Sequence, residues 1–182
     1  FSTENWRRPR AEVISIMRLV EEYAIRELPE LQRNGVRVLI MVRREGMPDT
    51  LMRVLDQIVR QTQDNNRMTL VLALNYGGPA EPVDAARAIS AAHGRGEMDI
   101  AVIDEAVLSQ YLYCPDLPDA DLIIRAGGES RLSNFLLWRA VGAVFWSTPI
   151  LWPDFQREHV MAAIQAYQDQ SGENSCLTTN AE

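Results

Sequence analysis

Residues 69–92 read TLVLALNYGGPAEPVDAARAISAA, and this stretch sets the fold class. It opens on an unbroken apolar run, Leu70 to Leu74, the pattern of a strand buried on both faces of its sheet. Asn75, Tyr76, Gly77, Gly78 and Pro79 then interrupt the run with turn residues, and from Ala80 to Ala92 apolar side chains recur at helical spacing. A strand that turns directly into a helix is half of a crossover between parallel strands.

The same alternation continues on both sides. Upstream, VRVLIMV (36–42) reads as another strand. The segment PDTLMRVLDQIVRQTQDNN (48–66) reads as an amphipathic helix with Leu51, Val54, Leu55, Ile58 and Val59 on one face. Before these, RPRAEVISIMRLVEEYAIRELPELQRNG (8–35) has Pro9 at a helix start and Asn34-Gly35 at its end. Downstream, IDEAVLSQYL (103–112) predicts a helix, ADLIIR (120–125) a buried strand and LSNFLLWRA (132–140) a helix. AVFWSTPILWPDF (143–155) reads as mixed strand and turn, and REHVMAAIQAYQ (157–168) as the last helix. The expected architecture is α/β: one domain over 1–170 with a central, mostly parallel sheet flanked by helices, followed by a polar, disordered tail at 171–182.

With 182 residues and 47% apolar content, the chain is long enough to bury one core. No window is long and apolar enough to span a bilayer, and no basic segment precedes an apolar one, so the expected location is the cytoplasm. The net charge of −7 argues against nucleic acid as a partner. All 18 basic residues are arginine, so every cation can make a planar, two-pronged contact. Cys114 and Cys176 have no metal-site or disulfide spacing and read as free thiols. The chain opens inside a motif, without an initiator Met, and reads as a fragment of a longer protein.

In open α/β sheets ligands bind beyond the carboxyl ends of the strands. Phe1–Pro9, Asn75–Glu81 and Arg125–Asn134 fall at such places. In RAGGESRLSNFLLW (125–138), Arg125 closes a strand, Gly127 and Gly128 let the backbone approach a ligand, and Arg131 and Ser133 open the expected helix. Two guanidiniums, a hydroxyl and free helix-start amides suit a diphosphate. The plainer alternative is a capped turn in which Glu129 and Arg131 are surface charges. In FSTENWRRP (1–9), Ser2, Thr3, Glu4, Asn5, Trp6 and Arg8 offer hydroxyls, a carboxylate, an amide, an indole and a cation. Here the alternative is that Ser2, Thr3 or Asn5 caps a helix and Trp6 is core. The glycine pattern of 125–134 fits neither GxGxxG nor a Walker motif, and a tight turn explains Gly77-Gly78 as well as a ligand does.

Taken together, FSTENWRRP (1–9), LNYGGPAE (74–81), LPDADLIIRAGGESRLSNFLLW (117–138) and LWPDF (151–155) closely resemble the signature blocks of the cis-prenyltransferases, the undecaprenyl diphosphate synthase family. The resemblance runs in order from Phe1 to Tyr167. It implies a homodimeric α/β fold unlike the all-helical trans-prenyltransferases. It also implies an enzyme that adds isopentenyl diphosphate to an allylic diphosphate such as farnesyl diphosphate, forming cis double bonds with Mg²⁺ as cofactor. By the same resemblance Arg125, Arg131 and Ser133, with Leu132 between the last two, hold isopentenyl diphosphate. Asn5, with Ser2 beside it, is the catalytic position that removes or relays a proton, and Thr3, Glu4, Trp6 and Arg8 contact substrate. A lipid product implies peripheral contact with a membrane.

Several positions depart from the family pattern. Val144 stands where a Mg²⁺-binding Glu is usual, and the usual Asp would lie upstream of Phe1, so the resemblance assigns this chain no metal ligand. Gly142 replaces an aromatic, Val42 and Arg43 replace Gly-Asp, Pro79 replaces Arg, and the arginine-rich carboxyl end is absent. These departures leave two alternatives: an impaired homologue or partner subunit that binds diphosphate without turnover, and a specialised relative that performs irregular coupling or cyclisation. His93 and His159 match no catalytic position.

Overall fold

A computed structural model describes the backbone of residues 1–178 and side chains as far as residue 170. The chain divides into two compact units, Phe1–Asp116 and Leu117–Glu182.

The first unit runs α1 (Arg10–Arg33), β1 (Val36–Val42), α2 (Asp49–Thr62), β2 (Met68–Leu74), α3 (Ala80–Gly94) and α4 (Glu105–Gln110). Strands β1 and β2 are parallel in a register running from Val36↔Met68 to Val42↔Leu74, and α2 is the crossover that a parallel pair requires. Gly35, at φ +66°, ends α1 in the left-handed conformation that glycine adopts without strain. Helices α1 and α2 pack on each other and on β1. The core joins Val13, Met17, Met47, Leu51, Met52, Leu55 and Leu74. Leu51 and Leu55, one helical turn apart on the inner face of α2, are both 0% exposed. Thr62, also buried, ties α2 to β1: its hydroxyl accepts from Val38 N at 3.0 Å and donates to Ile58 O at 2.9 Å.

The apolar run of β2 is less buried than its composition predicts. Leu74 is its one fully buried residue, and the strand is exposed at Met68. Within this unit β2 has a single strand neighbour, and α1 and α2 lie against β1, so much of its surface stays uncovered.

The second unit pairs β3 (Leu122–Arg125) with β4 (Val144–Ser147), again parallel, from Leu122↔Val144 to Arg125↔Ser147. Helix α5 (Arg157–Thr178) packs on both strands. Only Ile123 of β3 is fully buried, fewer than the apolar run predicts. The helix expected over 132–140 is not formed; the segment is a succession of turns. Ser133, Asn134 and Leu136 have φ of +49°, +63° and +51°. Left-handed dihedrals at L-residues cannot be accommodated in a right-handed helix. The far end of this segment is pinned by Arg139, whose carbonyl accepts from Ala120 N at 2.8 Å and whose guanidinium donates to Leu117 O.

Helix α5 also runs past its expected end, its backbone helical as far as Thr178. The polar stretch contains no proline, and a single Gly172 costs a helix only about 1 kcal/mol. Of the tail expected at 171–182, residues 179–182 lie outside the described residues. Among the described residues no helix is long and apolar enough to cross a membrane.

Candidate active site

Each unit carries one of the predicted clusters. In the first, residues 1–9 dock beside the end of β2. Ser2 forms a parallel bridge with Tyr76, and Thr3 N donates to Tyr76 O at 2.9 Å. A 3₁₀ turn, Thr3–Arg7, follows and brings Ser2 and Asn5 together. Asn5 Oδ1 accepts from Ser2 N at 2.7 Å and from Ser2 Oγ at 3.2 Å. Ser2 thus caps the turn while its side chain stays against Asn5, so the capping reading and the site reading coincide on the same pair. Trp6 is not core: it is 38% exposed, and its Nε1 donates to Asn75 Oδ1 at 2.6 Å. Glu4 is exposed, and Arg8 pairs with Glu12 one turn into α1.

A glycine of the β2–α3 turn is needed for a close approach. A Cβ on Gly77 would lie 2.5 Å from Thr3 Oγ1, well inside contact distance. Just beyond, the fully buried Glu81 accepts from the Tyr76 hydroxyl and from Tyr113 N at 3.1 Å. Burial pushes the Tyr113 hydroxyl well above the ordinary tyrosine range, and its hydrogen bond to Asp84 adds to the rise. Asp84 in turn lies 3.2 Å from Arg43 Nε.

Two cavities meet at Trp6 and Gly46, which line both. One, of about 430 Å³, is bounded by Thr3, Arg43, Glu45 and Asn75 and mixes polar and apolar walls. The other, of about 280 Å³, is bounded largely by Val13, Ile14, Met17, Pro48 and Leu51 and suits an apolar group.

In the second unit the structure brings Arg125, Arg131 and Ser133 together around Glu129. Arg125 Nη2 donates to Glu129 Oε2 at 2.5 Å and reaches Ser133 Oγ at 3.4 Å. Arg131 bonds the same carboxylate through Nε at 3.1 Å and Nη2 at 3.0 Å. The guanidinium of Arg131, and secondarily that of Arg125, hold the Glu129 carboxyl below the usual carboxylate range. Arg125 Nε is buried without a hydrogen-bond partner. Leu132 is half-buried, and its carbonyl accepts from Phe135 N at 3.0 Å.

One sequence expectation about this loop is corrected. No helix follows it, so Arg131 and Ser133 do not stand at a helix start with free amides. Gly127 and Gly128 adopt φ of +91° and +77° as glycine allows, but their amides donate to Ile150 O and Thr148 O, each at 2.8 Å. These two amides are therefore engaged within the chain, and the loop's two guanidiniums are its cationic groups.

Val144 opens β4 opposite Leu122, and its N donates to Asp121 O at 2.9 Å. Its hydrocarbon offers no oxygen to a hard cation, and among the described residues no three His, Cys, Asp or Glu side chains cluster as a metal site. The one carboxylate of the arginine loop is already engaged by two guanidiniums. The residues present do not fit Mg²⁺. Sequence reading placed Asn75 and Gly77 in a candidate ligand loop without joining them to the first cluster, and gave Glu129 no role outside the plainer alternative of a surface charge. The turn composition of Asn75–Pro79 marked the place but not the partners.

The undecaprenyl diphosphate synthase family model of prenyltransferases matches residues 1–174. An isoprenyl transferase of Heliobacterium mobile is 46% identical over 168 residues, 92% of this chain and 65% of the relative. One of Thermotoga maritima is 43% identical over 169 residues, 92% of this chain and 71% of the relative. The chain thus spans about two thirds of the length of these relatives. The crystal structure of lavandulyl diphosphate synthase from Lavandula x intermedia, in complex with dimethylallyl diphosphate, superposes with a TM-score of 0.87 at 33% identity, covering 92% of this chain and 72% of that one. This likeness bears out the expected α/β architecture. The chain belongs to the undecaprenyl diphosphate synthase family of prenyltransferases.

Proposed function

We propose that the protein is a transferase that condenses isopentenyl diphosphate with an allylic prenyl diphosphate to give a cis-polyprenyl diphosphate. The observation that carries this reading is the convergence of Arg125 and Arg131 on the single carboxylate of Glu129, with the Ser133 hydroxyl beside Arg125 Nη2. Two cations already aligned on one anion, with a hydroxyl next to one of them, suit a second, more highly charged anion. Arg125, Arg131 and Ser133, with Leu132 between them, are assigned to the diphosphate of isopentenyl diphosphate. The apolar cavity beside Trp6 suits the hydrocarbon of the allylic substrate. A solved relative bound to dimethylallyl diphosphate supports that substrate class.

The reaction balances as follows. The allylic C–O bond breaks and diphosphate leaves with the electron pair. The alkene of isopentenyl diphosphate attacks the resulting cation, forming the new C–C bond, and the adjacent carbon loses a proton. Stabilising the departing anion is the main demand on the protein, and cationic side chains meet it. Asn5, with Ser2 on its Oδ1, is assigned to the departing proton, and Thr3, Glu4, Trp6 and Arg8 to substrate contact. The proposal includes Mg²⁺ dependence, but no step is drawn through the ion, because the described residues do not hold it. It also includes a homodimer and a cytoplasmic protein that touches membrane through its lipid product.

The test is incubation with labelled isopentenyl diphosphate, an allylic diphosphate and Mg²⁺, with products resolved by chain length. Elongated product that is lost in Arg125→Ala supports the reading. Isopentenyl diphosphate bound but never transferred would instead favour a diphosphate-binding partner subunit.

A further inference from the structure

Asn75 makes three side-chain hydrogen bonds from a conformation unusual for anything but glycine. Its φ is +48°, in the region where asparagine is enriched among non-glycine residues, and it is 3% exposed. Its Oδ1 accepts from Trp6 Nε1 at 2.6 Å, and its Nδ2 donates to Arg43 O at 2.8 Å and Glu45 O at 3.0 Å. The amide orientation follows from its partners, since the indole can only donate and the two carbonyls can only accept. One side chain therefore fastens Trp6 on one wall of the 430 Å³ cavity and the β1–α2 turn on the other.

Trp6 also separates this cavity from the apolar one. Its indole is partly exposed and meets the Phe1 ring edge-on with centroids 5.2 Å apart, and the bond to Asn75 anchors its polar edge. We propose that Asn75 is a positioning residue that locks the Trp6 indole and, through it, the wall against which the allylic hydrocarbon packs. This rests on the substrate assignment above. The left-handed backbone of Asn75 is held by the same three bonds, which is how a strained conformation persists at a site it serves.

The test uses ¹⁵N-labelled protein, with the Trp6 Nε1–H signal identified by its loss in Trp6→Phe. Asn75→Gly removes the side chain yet suits a φ of +48°, so the backbone there is left unstrained. In that variant the indole signal is expected to shift and its hydrogen exchange to quicken. KM for farnesyl diphosphate is expected to rise roughly tenfold while KM for isopentenyl diphosphate stays within about twofold, the size expected for one lost hydrogen bond felt at one substrate. The double variant Trp6→Phe with Asn75→Gly is expected to be no worse than the more impaired single variant, because both break the same contact. An unchanged indole signal, two KM values rising together, or effects that multiply would each overturn the proposal. If wild-type protein makes no product, the transferase reading fails on its own, and an unchanged indole signal in Asn75→Gly still overturns the lock.

Discussion

The Glu129 carboxylate takes the Arg131 guanidinium through two hydrogen bonds, with Oε2 3.1 Å from Nε and Oε1 3.0 Å from Nη2. Because Arg131 is the largest cause of the lowered Glu129 pKa and Arg125 a smaller one, the two arginines are separable by titration. A folded-state pKa held below the unfolded value gives a contribution that is complete above the unfolded value and is lost as pH falls through the folded one. The cluster should therefore persist through the ordinary glutamate range and come apart only at lower pH. Carboxyl ¹³C NMR should show Arg131→Ala raising the Glu129 midpoint more than Arg125→Ala does. The reverse order would contradict the bonding pattern.

Arg125→Lys separates charge from geometry. A lysine keeps the cation but lacks the planar guanidinium fork, one prong of which, Nη2, meets both Glu129 and Ser133. If the fork matters, steady-state kinetics should show KM for isopentenyl diphosphate rising roughly tenfold or more, the scale of one lost charge-assisted hydrogen bond. A KM equal to wild type would mean that charge alone suffices.

Gly77→Ala tests the docking of residues 1–9. The new Cβ would lie 2.5 Å from Thr3 Oγ1, and Thr3 is held by its bond to Tyr76 O, so the 3₁₀ turn must shift. Overpacking of this kind costs about 1–3 kcal/mol. Urea unfolding should show that loss together with reduced turnover. Restoring space by Thr3→Ser in the same chain should recover little, because the hydroxyl oxygen remains in the way.

Leu55→Ala is a core change away from both clusters. The residue is 0% exposed within the α1, α2 and β2 core. Its truncation should cost about 2–5 kcal/mol in urea unfolding. KM for either substrate should be unchanged in the folded fraction.

The first unit was largely legible because its signals are local and periodic. β1 coincides with the apolar run at 36–42, and α1 ends at the predicted Asn34-Gly35. The turns over 132–140 were not legible: Phe135, Leu136, Leu137 and Trp138 give a helix-compatible apolar pattern, while the left-handed dihedrals at Ser133, Asn134 and Leu136 are set by how the segment is tied down. The arginine loop was legible as a charge cluster, but the amides of Gly127 and Gly128 are spent in bonds to Ile150 and Thr148 that no motif announces. Asn75 was hidden for a related reason. Its indole partner is 69 residues away in sequence, so only the folded chain reveals the pair.

The most direct measurement of the central claim is transfer of labelled isopentenyl diphosphate onto farnesyl diphosphate in the presence of Mg²⁺, comparing wild type with Arg125→Ala at equal folded protein. The account predicts a longer cis-prenyl diphosphate from wild type and a steep loss at limiting isopentenyl diphosphate in the variant. Wild-type protein that forms no elongated product with any divalent cation, while still binding isopentenyl diphosphate, would contradict it.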